Sequence, residues 1–265
     1  MESGLGTYVT YNPHAVSLET RVDDLLQMVD NLAMHYFPVV DQDQRLIGEV
    51  PETDVMRLAR GRTQSDIETG STIEQAVSRQ LVTVDYLASP RRALQLLMDY
   101  RIHSLPVLDR GKLIGIVTTS DFLREFSYGQ MTCAKDPVSD FLKHPAEPLD
   151  PDVTVDETIA AMDQARVDHQ VVVQGGCPIG VVDRREIVKA TSLGNSAAKL
   201  TGNSSVLKIL RKTPAFRPGQ RMNEAAALMV EHGLSALAVT NQANRYLGII
   251  TAQEILHVML RGLKP

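Results

Sequence analysis

"DYRIHSLPVLDRGKLIGIVTTSDFLREF", residues 99–126, is the stretch that decides the fold. "LPVLDRGKLIGIV" reads as a short hairpin closing on Gly115. Its first strand, "LPVLD", is apolar on both faces, which requires cover on both sides. Thr118 and Asp121 follow, three residues apart, just before an apolar run. That spacing is a capping box, in which side chains satisfy free N–H groups at a helix start. A carboxylate placed there can also accept hydrogen bonds from the vicinal hydroxyls of a ribose.

The same pattern occurs four times. Hairpins ending in apolar-Gly close near Gly48, Gly115, Gly180 and Gly248, at successive spacings of 67, 65 and 68 residues. Each follows an amphipathic segment: "RVDDLLQMVDNLAMHY", "PRRALQLLMDYRIH", "TVDETIAAMDQARVD" and "RMNEAAALMVEHGL". Each precedes a short helical stretch that stops near Gly61, Gly129, Gly194 or Gly262, read as C′ positions. An extended piece such as "LVTVD" at 81–85 comes first in the unit. The connectors "STIEQAVSRQ", "DPVSDFLKHP" and "NSSVLKILRK" read as weak further helices. Met28, Met98, Met162 and Met229 recur in the same helix of each unit and read as core filler. Two strands cannot bury themselves, so units must pair, with helices outside.

Bulk properties narrow the function. The 265 residues are 43% hydrophobic and 22% charged, the profile of a globular protein. A net charge of −5, no Trp and few aromatics argue against nucleic acid and against an anionic membrane. Residues 1–130 carry 12 basic and 18 acidic side chains, so an anionic ligand there needs locally placed cations. The two cysteines form no CxxC pair, no stretch is apolar enough to span a bilayer, and the N-terminus lacks signal-peptide character. The expected location is cytoplasmic, with no membrane insertion.

The segment 99–126, with its three counterparts, resembles the CBS repeat, named for cystathionine β-synthase. The resemblance implies an α+β fold of four β-α-β-β-α CBS repeats pairing into two pseudo-two-fold Bateman modules. The Pro-rich "HPAEPLDPD" at 144–152 lies near mid-chain. The first pair is expected at 1–132, with repeats at about 14–61 and 81–129. The second is expected at 133–265, with repeats at about 146–194 and 214–262. The resemblance also implies an adenosine-containing ligand between paired repeats, regulation of a partner protein or homodimerisation through the modules, and no room for an attached enzyme.

Candidate ligand residues follow from matching the motif position by position. The equivalent tetrads are Pro51–Asp54, Thr118–Asp121, Asp183–Glu186 and Thr251–Glu254. The family's Asp holds ribose and its Thr lies close to sugar or phosphate. Thr118 and Asp121 fit in full, and Asp54 fits beside a proline where Thr is expected. Thr251 and Glu254 are weaker candidates, because Glu suits the capping role. Asp183 with Glu186 would repel phosphate. His35 and His103 lie three residues before the strand prolines Pro38 and Pro106, where some relatives place a basic phosphate contact. Counting back in the same way reaches Asp168 and Leu234 in the later repeats. Each histidine also reads as a helix C-terminal residue interacting with the dipole. Arg91, next to Pro90 at a helix start, is a candidate cation. Val82, Thr83, Val84 and Leu105 are candidates for the adenine slot.

The sequence holds no GxxxxGK loop, HExxH, G-x-S-x-G elbow or Cys/His metal spacing, and no nucleophile–base pair. The expectation is therefore a non-enzyme without catalytic cofactor or metal: a regulatory sensor of AMP, ADP or ATP acting mainly through the first pair. A ligand-free CBS interaction scaffold is the alternative, and S-adenosylmethionine is a further ligand alternative.

Overall fold

The computed structural model describes residues 4–32, 36–51, 54–55, 58, 71–142, 147–192 and 200–263. In chain order the strands are β1 (Thr10–Tyr11), β2 (Tyr36–Val40), β3 (Leu46–Pro51), β4 (Val84–Asp85), β5 (Ser104–Asp109), β6 (Lys112–Thr118), β7 (His169–Gln174), β8 (Cys177–Asp183), β9 (Ala236–Thr240) and β10 (Tyr246–Thr251). The helices are α1 (Val22–Leu32), α2 (Pro90–Asp99), α3 (Thr119–Ser127), α4 (Val155–Ala165), α5 (Arg184–Ser192), α6 (Met222–His232) and α7 (Ala252–Gly262). Asp54, Val55 and Leu58 are helical after β3.

One antiparallel hairpin forms the centre of each repeat: β2–β3, β5–β6, β7–β8 and β9–β10. Register is equivalent in all four. Gly48 faces Val39, Gly115 faces Val107, Gly180 faces Val172, and Gly248 faces Val239. The extended piece before each amphipathic helix runs parallel to the first hairpin strand, through Val16–Val39, Val84–Val107, Leu149–Val172 and Phe216–Val239. In the third repeat one face of the hairpin packs on α4 (Val172 and Val182 with Val155 and Met162) and the other on β9–β10 (Val171 and Val181 with Ala236 and Ala238), which explains its near-continuous apolar runs.

The connectors read as weak helices are single 3-10 turns at Ile73–Ala76, Val138–Asp140 and Val206–Lys208, with a fourth at Leu5–Thr7. Three or four residues cannot propagate an α-helix. Each turn instead drives one apolar anchor into the core: Leu5, Ile73, Val138 and Val206 are at most 1% exposed.

These turns dock on the neighbouring repeat. Ile73 N–H donates to Thr20 O and Val22 N–H to Ser71 O, so the second repeat's turn binds the start of the first repeat's helix. Val206 binds Val153 and Val155 binds Ser204, placing the fourth repeat's turn on α4. Val138 binds Gln220 and Met222 binds Asp136, placing the third repeat's turn on α6. Repeats three and four thus exchange turns reciprocally. This exchange supplies the backbone hydrogen bonds that a lone repeat would leave open.

The hairpin glycines serve the same exchange. A Cβ at Gly115 would lie 2.3 Å from Val9 Cγ1 and 2.9 Å from the Thr10 carbonyl. At Gly48 it would meet Val77 Cγ1 at 2.2 Å, and at Gly180 the Arg211 carbonyl at 2.6 Å. The neighbouring repeat's segment crosses there, as Tyr11 on Gly115 in the β1–β6 pair and Arg211 on Val181.

The chain packs into two units, with described residues 4–118 in one and 119–191 with 200–263 in the other. Helix α3, the end of the second repeat's motif, lies in the latter and packs on α6 and α7. Asn223 Nδ2 donates to Ser127 O at 3.4 Å. The glycine stops resolve unequally. Gly129 has φ +67°, as a C′ glycine should. Gly262 is instead the last residue of α7, capped by Leu263, and a Cβ there would meet Cys133 Sγ and Met131 Cε at 2.7 Å. Gly61 and Gly194 lie outside the described residues.

The core follows the repeat. Phe37, Val39 and Val50 pack with Val22 and Leu25 of α1. Val172 and Val182 pack with Val155 and Met162 of α4. Met162 and Met229 are fully buried, and Met28 packs against the first cluster.

Candidate ligand site

Thr118 ends β6 opposite Ser104, the residue after His103. Helix α3 starts at once, with Asp121 in its first turn. Asp121 Oδ1 accepts a hydrogen bond from Arg124 Nη1 at 3.1 Å, one turn along. The Asp121 side chain is 10% exposed, whereas that of Arg124 is 53% exposed. The carboxylate is therefore covered and oriented along the helix by a solvent-facing cation.

Two other helix starts show what a full capping box does here. Glu157 Oε2 accepts from Thr154 N at 2.8 Å and Thr154 Oγ1 at 2.9 Å. Glu254 Oε2 accepts from Thr251 N at 3.0 Å and from the Thr251 hydroxyl. Glu254 is 7% exposed. The Thr251–Glu254 pair is thus engaged in starting α7, as the longer glutamate arm favours.

The remaining candidates differ in burial. Val84 and Leu105 are buried on the adjacent strands β4 and β5, with Leu105 at 0% exposure, so both are core. Val82 and Thr83 are half-buried just before β4. His103 is exposed at the entry to β5. Arg91 is half-buried in the first turn of α2, which Ser89 caps by accepting from Arg92 N at 3.2 Å. Asp54 is half-buried and helical. His35 lies outside the described residues.

Strand register corrects one equivalence. Counting from the residue that faces the hairpin glycine, His103 matches Asp168 and Ser235, not Leu234. No proline marks β7 or β9, so only the ladder reveals the count.

Ser235 belongs to a cluster that motif matching missed. Its hydroxyl donates to Asp183 Oδ2 at 2.5 Å and lies 2.8 Å from His169 Nε2. His169 Nε2 is 3.3 Å from the same carboxylate oxygen. Arg185 donates its backbone N–H to Asp183 Oδ1 at 2.8 Å and its Nη2 to Oδ2 at 3.2 Å. Burial opposes the charge on Asp183. The His169 hydrogen bond, the Arg185 and His169 charges and the Ser235 hydroxyl outweigh it and hold the carboxyl well below the usual range. The available signal was Asp183 itself, a carboxylate where Thr118 and Thr251 carry hydroxyls.

Among the described residues, no group of three or more His, Cys, Asp or Glu side chains could hold a metal ion. No described helix is long and apolar enough to cross a membrane.

Four hairpins in one register, each followed by helical residues at the equivalent position, define a tandem array of one α+β repeat. The CBS domain family model matches residues 5–61, 73–128, 138–192 and 206–261, and the chain belongs to that family. Its matches begin at the four 3-10 turns. Relatives include an uncharacterized 33.4 kDa protein of the ribosomal RNA operon of Thermofilum pendens, 23% identical over 191 residues. That alignment covers 68% of this chain and 62% of the relative. CBSX2, a chloroplastic CBS domain-containing protein of Arabidopsis thaliana, is 29% identical over 147 residues, 45% of this chain and 62% of the relative. The chain therefore spans less than two thirds of each of these two relatives. The crystal structure of protein MJ1225 from Methanocaldococcus jannaschii superimposes with a TM-score of 0.71 at 16% identity, covering 97% of this chain and all of that one.

Proposed function

We propose that the protein is a regulatory module that binds an adenosine-containing nucleotide of the AMP, ADP or ATP class, mainly through its first pair of repeats (1–132), and relays occupancy to a partner protein. The observation that carries this reading is Asp121: a covered carboxylate in a helix first turn, three residues after Thr118 and oriented by Arg124. An aspartate so held can accept both vicinal hydroxyls of a ribose. Thr118 supplies a hydroxyl, and His103 and Arg91 supply donors for phosphate. Asp54 and His35 of the first repeat, with Val82 and Thr83, complete the proposed contacts. The role is regulatory and not catalytic. A ligand acts by its differential affinity for one arrangement of the repeats.

A second reading, the ligand-free scaffold, suits the second pair (133–265). There Glu254 is engaged by Thr251, and Asp183 by His169, Ser235 and Arg185. Isothermal titration of the full chain with AMP, ADP, ATP and S-adenosylmethionine tests both readings. Saturable heat with an adenine nucleotide is expected. S-adenosylmethionine binding alone would change the ligand class, and no heat with any of the four would leave the scaffold.

A further inference from the structure

The hairpins β7–β8 and β9–β10 pack face to face through small apolar side chains: Val171, Val173 and Val181 against Ala236, Ala238 and Ile249. Polar contacts fasten both ends of this sandwich. At the turn end, Tyr246 N–H donates to Gly176 O at 3.0 Å, and Arg245 Nη1 bonds Gly175 O. At the helix end stands the Asp183 cluster. His169 and Asp183 face each other within one hairpin, so Ser235 is the member that crosses between repeats.

We propose that Ser235, inserted between His169 and Asp183, is a clasp that holds repeats three and four closed on each other without a ligand. The hydroxyl accepts from the imidazole and donates to the carboxylate, so its one proton is committed to the other repeat. The backbone of Ser235 is fixed as well, because its carbonyl accepts from Ala252 N at 2.8 Å at the start of α7. Asp183 is 8% exposed, and a buried carboxylate is stable only when its oxygens are hydrogen-bonded. Arg185 meets part of that demand from the same repeat, and the clasp meets the rest from the other. The cluster is not a nucleophilic triad. One ring nitrogen, Nε2, faces both Ser235 and Asp183, so the acid does not orient the imidazole from its far side.

In this arrangement Asp183 is engaged by side chains of the second pair, at the register position that Thr118 holds in the second repeat. The clasp does not depend on what the first pair binds.

Hydrogen–deuterium exchange of the full chain, with Ser235→Ala and Asp183→Asn, tests the clasp. Each variant is expected to speed exchange roughly tenfold in peptides from both 169–174 and 236–240, with 104–118 unchanged, since opening that pair loses a hydrogen bond to a charged group. The double variant is expected to exchange no faster than the worse single variant, because both break one contact. Unchanged exchange in both single variants would overturn the clasp. So would acceleration confined to the substituted hairpin or spread evenly along the chain, which marks loss of local or global stability without opening between repeats.

Discussion

Asp183 faces His169 across the β7–β8 ladder, in the register place where Thr118 faces Ser104 across β5–β6. One strand position therefore carries a histidine–carboxylate pair in the third repeat and two hydroxyls in the second. The third repeat thus has a carboxylate held by His169, Ser235 and Arg185 where the second has a threonine.

Acid should test the Asp183 carboxylate. Asp183 is held below the usual carboxylate range in the folded chain and titrates near 4 when unfolded. Below about pH 5 the unfolded chain therefore binds more protons at this site, so stability falls as pH falls. The stabilisation is fully present above that range. His169 and Arg185 face the carboxylate, while Arg184 is engaged with Asp163 and Asp168. Asp183→Asn should lower stability at pH 7 and flatten the loss between pH 5 and pH 3. Urea midpoints across that range check it, and parallel profiles for both proteins would refute it.

Asp121→Ala should weaken adenine-nucleotide binding roughly 10- to 100-fold, because a charge-assisted contact is worth about 1.5–3 kcal/mol. Arg124→Gln should change thermal stability by less than about 1 kcal/mol, since its partner lies beside a largely exposed guanidinium. Calorimetry and thermal unfolding read the two effects separately. Unaltered nucleotide affinity in Asp121→Ala would remove the ribose assignment.

Gly115→Ala and Gly180→Ala should each cost about 1–3 kcal/mol, because the added methyl meets a backbone carbonyl of the crossing segment. Gly219→Ala is the control. Among the described residues nothing lies within 4 Å of its Cβ position, and a change within about 0.5 kcal/mol is expected. Denaturant titration ranks the three, and equal midpoints would show that the crossing segments yield.

Gln170 is 1% exposed, and among the described residues neither its Oε1 nor its Nε2 has a hydrogen-bond partner. It occupies the register place of the apolar Phe37, Leu105 and Leu237. A buried unpaired amide costs about 1–3 kcal/mol. Gln170→Leu should therefore raise the unfolding midpoint, by several degrees in a thermal scan. A lower midpoint would show that the amide is satisfied in solution.

The sequence by itself determined the repeat. Apolar runs between recurring glycines dictate four buried hairpins, because a strand apolar on both faces has no stable place outside a covered sheet. The tetrads that open the following helices were legible for the same local reason, since a helix start must satisfy its N–H groups within a few residues. Tertiary structure alone decided how repeats complete one another. The glycines are demanded by a segment tens of residues away, the connectors shrink to single turns because they dock on a neighbour's helix, and α3 packs on α6 and α7. It also decided which carboxylates are already engaged. Thr251–Glu254 and Thr118–Asp121 share a spacing, but that Glu254 closes on Thr251 and that Asp121 also meets Arg124 are decided by side-chain reach and burial. Ser235 reaches Asp183 across 52 residues, a contact that only packing between hairpins creates.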